Sequence, residues 1–263
     1  MTYLEFHLVF VLPVLLVMLI LSYRELKRLA RPGWLSFLVL VLIAVIYTTP
    51  WDNYLVYKGI WYYSPDRVLG TIGWVPYEEY AFFVLQTLCT GLFYYWLARP
   101  SRWRDVLLPA LPAFRSRYVV LGLVAMILAS VVGLGYEPTL YLSLILVWGL
   151  PVVLLHWVVG GKSLVFYGRR NWLVIMLASL YFWLADAYAI DKEIWLISER
   201  YTTGFKIFSL PIEEAVFFFM TNVLVVQGLC LFLDPYMQTT IAQVWQRWRG
   251  RMVLKAKPEE TLS

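Results

Sequence analysis

The chain has 263 residues, 61% of them apolar and 18% aromatic, with a formal net charge of +5 and a mean hydropathy of +0.69. That apolar share exceeds the roughly one-half of ordinary globular proteins, which argues against a soluble architecture. The basic residues fall between apolar runs, so no nucleic-acid partner is expected from the charge.

A membrane-spanning helix needs about 20 mostly apolar residues. Seven runs satisfy this, at roughly 3–22, 34–50, 76–97, 118–135, 139–159, 172–190 and 210–233. The expected fold is therefore all-α integral membrane with seven transmembrane helices. The first run lacks a basic leading region and a small-residue cleavage site, so it reads as an anchor and not a signal peptide. Trp34 and Trp51 flank the second run, as interfacial anchors do. Of the 22 Lys and Arg residues, 17 fall in alternate connections (24–31, 99–117, 162–170) and in the tail from Arg247; the other 5 are Lys58, Arg67, Lys192, Arg200 and Lys206. This asymmetry predicts a multi-pass cell-membrane protein with its N-terminus outside and its C-terminus in the cytoplasm. The basic tail, 238–263, reads as a contact with anionic membrane lipids. Cys89 and Cys230 lie inside apolar runs and read as packing residues.

The chain repeats itself. Pro76-Tyr77-Glu78-Glu79-Tyr80-Ala81-Phe82-Phe83 recurs 135 residues later as Pro211-Ile212-Glu213-Glu214-Ala215-Val216-Phe217-Phe218. Asp52, Tyr54, Lys58, Ile60 and Trp61 match Asp186, Tyr188, Lys192, Ile194 and Trp195 at an offset of 134, and Leu12-Pro13-Val14 matches Leu150-Pro151-Val152. Helices one to three thus correspond to helices five to seven. The fourth joins them, so the two three-helix repeats are parallel, related by an axis along the membrane normal. The implied organisation is a first repeat (1–110), a linker helix (111–136), a second repeat (137–237) and the tail. The connections 51–75 and 191–209 are aromatic-rich and are expected to cover the outer end of the bundle.

Acids are costly in hydrocarbon, so a carboxylate pair inside a membrane segment marks a functional site. Glu78, Glu79, Glu213 and Glu214 are the candidate catalytic residues; helix capping is the alternative role. Adjacent helical residues point about 100° apart. Residues seven apart share a face, which pairs Glu79 with Gln86 and Glu214 with Thr221 and favours these two acids as cleft-facing. Asp52 and Asp186, at the outer ends of helices two and six, are placed to orient or recharge the glutamates. Tyr54, Tyr188, Trp61 and Trp195 are candidates to stabilise a cation. Asn53 faces Ala187 in the repeat, a departure from strict equivalence. His156 and Asn171 have no counterparts and read as structural. No Gly-x-Gly-x-x-Gly follows a strand, so no flavin or nicotinamide cofactor is expected. No His/Cys spacing suggests a metal, and the seventh helix has no lysine for retinal.

The motifs Trp51-Asp52-Asn53-Tyr54, Gly59-Ile60-Trp61-Tyr62 and Pro76-x-Glu78-Glu79-x-x-Phe82-Phe83, with their second-half echoes, resemble the integral-membrane lycopene cyclases. In that family two small three-helix polypeptides form a heterodimer or are fused in tandem, and in fungi the fusion is joined to phytoene synthase. The resemblance covers roughly 1–235 and is to the tandem fusion without a synthase. It implies carotenoid biosynthesis. The ψ ends of lycopene would be cyclised to β rings by acid–base chemistry, giving γ- and then β-carotene, in an intramolecular-lyase isomerisation with no redox change. It also implies lycopene and related carotenoids as ligands and other carotenoid enzymes as candidate partners. The alternatives are a cyclase acting on longer carotenoids, or a transporter with the same three-plus-one-plus-three plan. A transporter would need a hydrated midplane site, where this chain is apolar.

Overall fold

The computed structural model describes residues 1–102 and 113–238, so the tail from 239 onward lies outside the described residues. Helical turns run unbroken from Leu12 to Lys58. A straight helix of that length would span about 70 Å, yet both of its ends meet one end of the next helix. Tyr3 and Asn53 bond to Glu79 and Tyr80, whereas Ser36 and Glu25 bond to Tyr95 and Ser101. The chain therefore folds back on itself as two arms, α1 (Tyr3–Leu29) and α2 (Gly33–Lys58). The sequence Arg31-Pro32-Gly33 explains the place: proline disfavours helical backbone before it, and a Cβ on Gly33 would come within 2.8 Å of the Leu29 Cβ. A π-helical stretch, His7–Val11, lies within α1.

The remaining helices are α3 (Tyr77–Ala98), α4 (Ala113–Gly133), α5 (Leu140–Phe166), α6 (Gly168–Asp191) and α7 (Ile212–Leu233). Among the described residues six helices are long and apolar enough to cross a membrane; α4 carries a shorter apolar stretch, Arg117–Gly133. The first arms run further than the expected 3–22 and 34–50. Helix α2 continues to Lys58 and stops at Gly59, which takes the left-handed conformation (φ +72°) that caps helix ends. Trp51, Asp52, Asn53 and Tyr54 are thus helical residues. They do not belong to the connection expected at 51–75, because a polar or aromatic composition near the interface does not itself end a helix.

Three short antiparallel ribbons complete the fold. β2 (Thr71–Ile72) pairs with β3 (Val75–Pro76), and β5 (Lys206–Ile207) with β6 (Leu210–Pro211). These hairpins lead into α3 and α7 and are each other's repeat counterparts. β1 (Trp61–Tyr62) pairs with β4 (Leu196–Ile197) across the repeats, with Tyr62 opposite Leu196. Those two residues are equivalent at the offset of 134, so the pseudo-twofold axis passes between them. The same axis shows lower in the bundle, where Gln86 Nε2 donates to its own counterpart, Thr221 Oγ1, at 2.9 Å. Two matched bonds tie the repeats side to side: Tyr47 Oη to the Trp148 carbonyl at 2.9 Å, and Tyr181 Oη to the Phe10 carbonyl at 2.6 Å. Helix α4 packs chiefly along α5, outside the pseudo-symmetric pair.

Candidate active site

Each hairpin delivers its glutamate pair into the first turn of the following helix, and the two members of a pair then part company. Glu78 Oε1 accepts from the Leu69 backbone N–H at 2.8 Å. Glu213 Oε1 accepts from the Thr203 N–H at 2.7 Å and its hydroxyl at 2.8 Å. These two acids pin the preceding loops to the helix starts. Glu79 and Glu214, about 100° further round, face the pseudo-twofold axis and line one cavity together. Its volume of about 20 Å³ is room for a single water.

Four acids converge on this centre: Asp52 is 0% exposed, Asp186 1%, Glu214 2% and Glu79 5%. Asp186 lines the cavity with the two glutamates, and Asp52 lies close enough to interact with both. The three ion pairs among the described residues, Lys192–Asp191, Arg200–Glu137 and Lys206–Glu199, are all solvent-exposed. Repulsion among like charges in an apolar surround prevents all four acids from ionising together.

The cavity walls are aromatic: Tyr3, Trp61, Tyr63, Phe82, Trp195, Phe217 and Phe218. Tyr3 Oη donates to Glu79 Oε2 at 2.5 Å and its repeat counterpart Tyr141 donates to Glu214 Oε1 at 2.6 Å. Neither tyrosine was singled out above, although Tyr3 and Tyr141 stand at the same offset of 138 as the Leu-Pro-Val match. Tyr63 adds a second donor to Glu79 Oε2, at 3.0 Å. Burial pushes its phenol well above the ordinary tyrosine range, and the neighbouring Glu79 and Asp52 push it further, so it stays a donor. Its counterpart is Ile197, so sequence repetition carried no signal for it. Trp195 Nε1 donates to Asp186 Oδ1 at 2.9 Å. Trp61 lies edge-on to Tyr141 and Phe217. Among the described residues, neither carboxylate oxygen of Asp52 has a hydrogen-bond partner.

Other candidates lie elsewhere. Asn53 does not reach the cavity. Its Oδ1 accepts from the Trp74 N–H and its Nδ2 donates to Tyr80 Oη, both at 2.9 Å, which pins the first hairpin. In the second repeat Ser209, the counterpart of Trp74, donates to the Ala187 carbonyl instead. The Asn53/Ala187 difference is thus two solutions to one anchoring problem and leaves the acids untouched. Tyr54 is exposed, and Tyr188 packs against Phe10 with ring centres 4.9 Å apart and planes tilted by 44°. Lys192 pairs with Asp191 at the surface, not with a buried acid. Gln86 lies deeper, on the axis, in the wall of an apolar pocket described below. No group of His, Cys, Asp or Glu among the described residues is arranged to hold a metal ion.

A family model described as lycopene cyclase matches the chain twice, over residues 3–97 and 138–232. A protein of Halobacterium salinarum named lycopene beta-cyclase is 40% identical over 215 residues, 80% of this chain and 84% of the relative. Bifunctional lycopene cyclase/phytoene synthases of Podospora anserina and Neurospora crassa are 33% and 34% identical over 90% of this chain, which spans 41% and 40% of those longer proteins. No solved structure matches the chain.

Proposed function

The chain belongs to the lycopene cyclase family, and from that premise we propose that ring closure takes place at the four-acid centre between its repeats. The protein is a membrane enzyme of carotenoid biosynthesis, a lycopene cyclase of the intramolecular-lyase type, and the transporter alternative is set aside. The observation that carries the proposal is that Glu79 and Glu214, one from each repeat, line a single water-sized cavity walled by aromatics.

The chemistry needs one proton in and one out. An acid gives its proton to the terminal double bond of the ψ end and leaves a tertiary cation. The next double bond in reach attacks that cation, closing a six-membered ring and moving the positive charge into it. A base then takes a ring proton, and the formula is unchanged. We assign the donor to Glu214 and the base to Glu79, because two phenols donating to Glu79 Oε2 complement a charged oxygen. Asp52 and Asp186, adjacent to both glutamates, return the proton from base to acid between turnovers. The rings of Trp61, Trp195, Phe217 and Phe218 offer negative faces to the migrating cation. The product ring in this reading is β, as in the name of the archaeal relative.

Because the reaction moves no net electrons, purified protein in liposomes is expected to cyclise lycopene in buffer alone, and Glu79→Gln to abolish that. A strict need for reduced flavin or nicotinamide, or full turnover by the variant, would overturn the reading. The acid end is assigned to the outer membrane face from the distribution of Lys and Arg. A periplasm-active reporter on the C-terminus should stay silent; an active one would reverse the orientation. Other carotenoid enzymes are proposed to work beside this chain, which co-purification from native membranes tests.

A further inference from the structure

Below the acid centre the interface between the repeats holds two apolar pockets. One, of about 340 Å³, lies among α2, α3, α5 and α7; the other, of about 260 Å³, lies among α1, α3 and α6. They are one pocket drawn twice. Every one of the nine residues lining the smaller has its repeat counterpart in the lining of the larger, among them Val14 with Val152, Ala178 with Ala44, and Tyr181 with Tyr47. The pseudo-twofold axis thus offers the acid centre two rotation-related approaches, one through each side of the bundle.

The two approaches are not equally open. The larger pocket shares Phe82 and Phe217 with the acid cavity, so the two spaces meet at those rings; the smaller shares no lining residue with it. Six of the nine matched positions differ, and two of those exchanges replace a ring by a small residue. Where the smaller pocket has Phe182 the larger has Thr48, and where the smaller has Phe93 the larger has Gly228. The ring of Phe182 stacks on Phe218, a wall of the acid cavity, with centres 5.6 Å apart and planes 5° apart, and stands edge-on to Phe82 at 6.1 Å. It closes the second approach at the point where Thr48 leaves the first one open. The larger pocket also continues sideways. Ile43, Tyr47 and Trp148 belong both to it and to a groove of about 660 Å³ along α2 and α5, whose outer residues, such as Leu42 and Ile46, are exposed apolar side chains.

We propose that the linear polyene lies in the pocket among α2, α3, α5 and α7, entering from the lipid along the α2–α5 groove, and that Phe182 blocks the twofold-related path. The occupant is a long apolar chain, because the pocket ends at the acids, its lining is apolar apart from Thr48, Gln86, Thr87, His156 and Thr221, and it opens on the hydrocarbon side. This rests on the acid-centre reading for which end of the chain is held where. It makes the enzyme one-sided despite its doubled architecture.

The test uses the matched pair Ala44→Phe and Ala178→Phe, which place the same ring at equivalent positions in the two pockets, with Thr48→Phe as a second blocker. Lycopene binding is read as quenching of tryptophan fluorescence in liposomes, in the Glu79→Gln background so that binding is measured apart from chemistry. Turnover is read in the otherwise wild-type protein. Ala44→Phe and Thr48→Phe are expected to weaken binding and turnover tenfold or more, and Ala178→Phe to leave both within twofold. Equal losses from Ala44→Phe and Ala178→Phe would mean that both approaches carry substrate. Tight binding by both Ala44→Phe and Thr48→Phe would place the polyene elsewhere. If one blocked variant fails to insert, Phe182→Thr added to the other decides: it should open the second approach and restore binding at least in part, and no restoration would mean that Phe182 is not what closes that path. Retained turnover in Glu79→Gln, with the binding pattern intact, would remove the acid assignment and leave the path standing.

Discussion

Glu78 and Glu79 are neighbours in sequence and differ in everything else. The first holds a loop N–H and the second faces the axis beside three other acids. In the proposed mechanism, loss of Glu79 or Glu214 removes a proton-transfer group, which typically costs about 10²–10⁴-fold in rate. Loss of Glu78 or Glu213 loosens a hairpin and acts only indirectly. The four single Gln variants are thus expected to fall into two classes in a liposome turnover assay, and near-normal turnover in all four would leave the glutamates with anchoring roles alone. Tyr63 separates the two glutamates further, since its counterpart Ile197 offers Glu214 no second phenol, and the group beside Tyr141 at Glu214 is the Trp61 indole. Tyr63→Phe removes one bond to a charged oxygen, worth about 1.5–3 kcal/mol, and should lower turnover by roughly tenfold or more while leaving lycopene binding unchanged. An equal loss of binding would make Tyr63 a packing residue.

The hairpins are the elements that aim the acids. Gly73 sits at the first turn with φ +65°, and its counterpart in the second hairpin is Phe208, at φ +57° and 99% exposed. Left-handed backbone costs a side-chain-bearing residue about 1–2 kcal/mol, so the second hairpin carries strain that the first avoids. At Gly73 a Cβ would also run into Asn53 Oδ1, the atom that holds the Trp74 N–H. Gly73→Ala is therefore expected to free the first hairpin, raising hydrogen exchange across 69–76 and lowering turnover through Glu78 and Glu79; unchanged exchange would show that the hairpin is held by β2–β3 pairing alone. This is also where sequence reading stopped short. The repeats, the acid faces of α3 and α7 and the seven helices were legible from hydropathy and from residues seven apart. Asn53 was not legible as an anchor, because its partner is a backbone N–H 21 residues away, and the contacts of a loop leave no period in the sequence.

At the scale of the whole molecule, the axis runs through a single acid centre and not through two. Both Glu79 and Glu214 line it, and both lie at the same end of the bundle. A rod with two identical ends can then present only one of them at a time. A time course is expected to pass through one-ringed γ-carotene, and Glu79→Gln should stop both closures; a variant that instead accumulated γ-carotene as a clean end product would favour two independent sites. The centre needs both repeats, yet the repeats need only to be neighbours. Helix α4 contributes nothing to the cavity walls and packs along α5; in the proposed topology it is the one extra crossing that lets two parallel units share one chain. Had the units been separate molecules diffusing in a bilayer, a complete centre would form only on lateral encounter, and activity would fall as the lipid-to-protein ratio rose. Tethering makes that encounter intramolecular, at a fixed local concentration, so each chain carries a finished centre however thinly it is spread through the membrane.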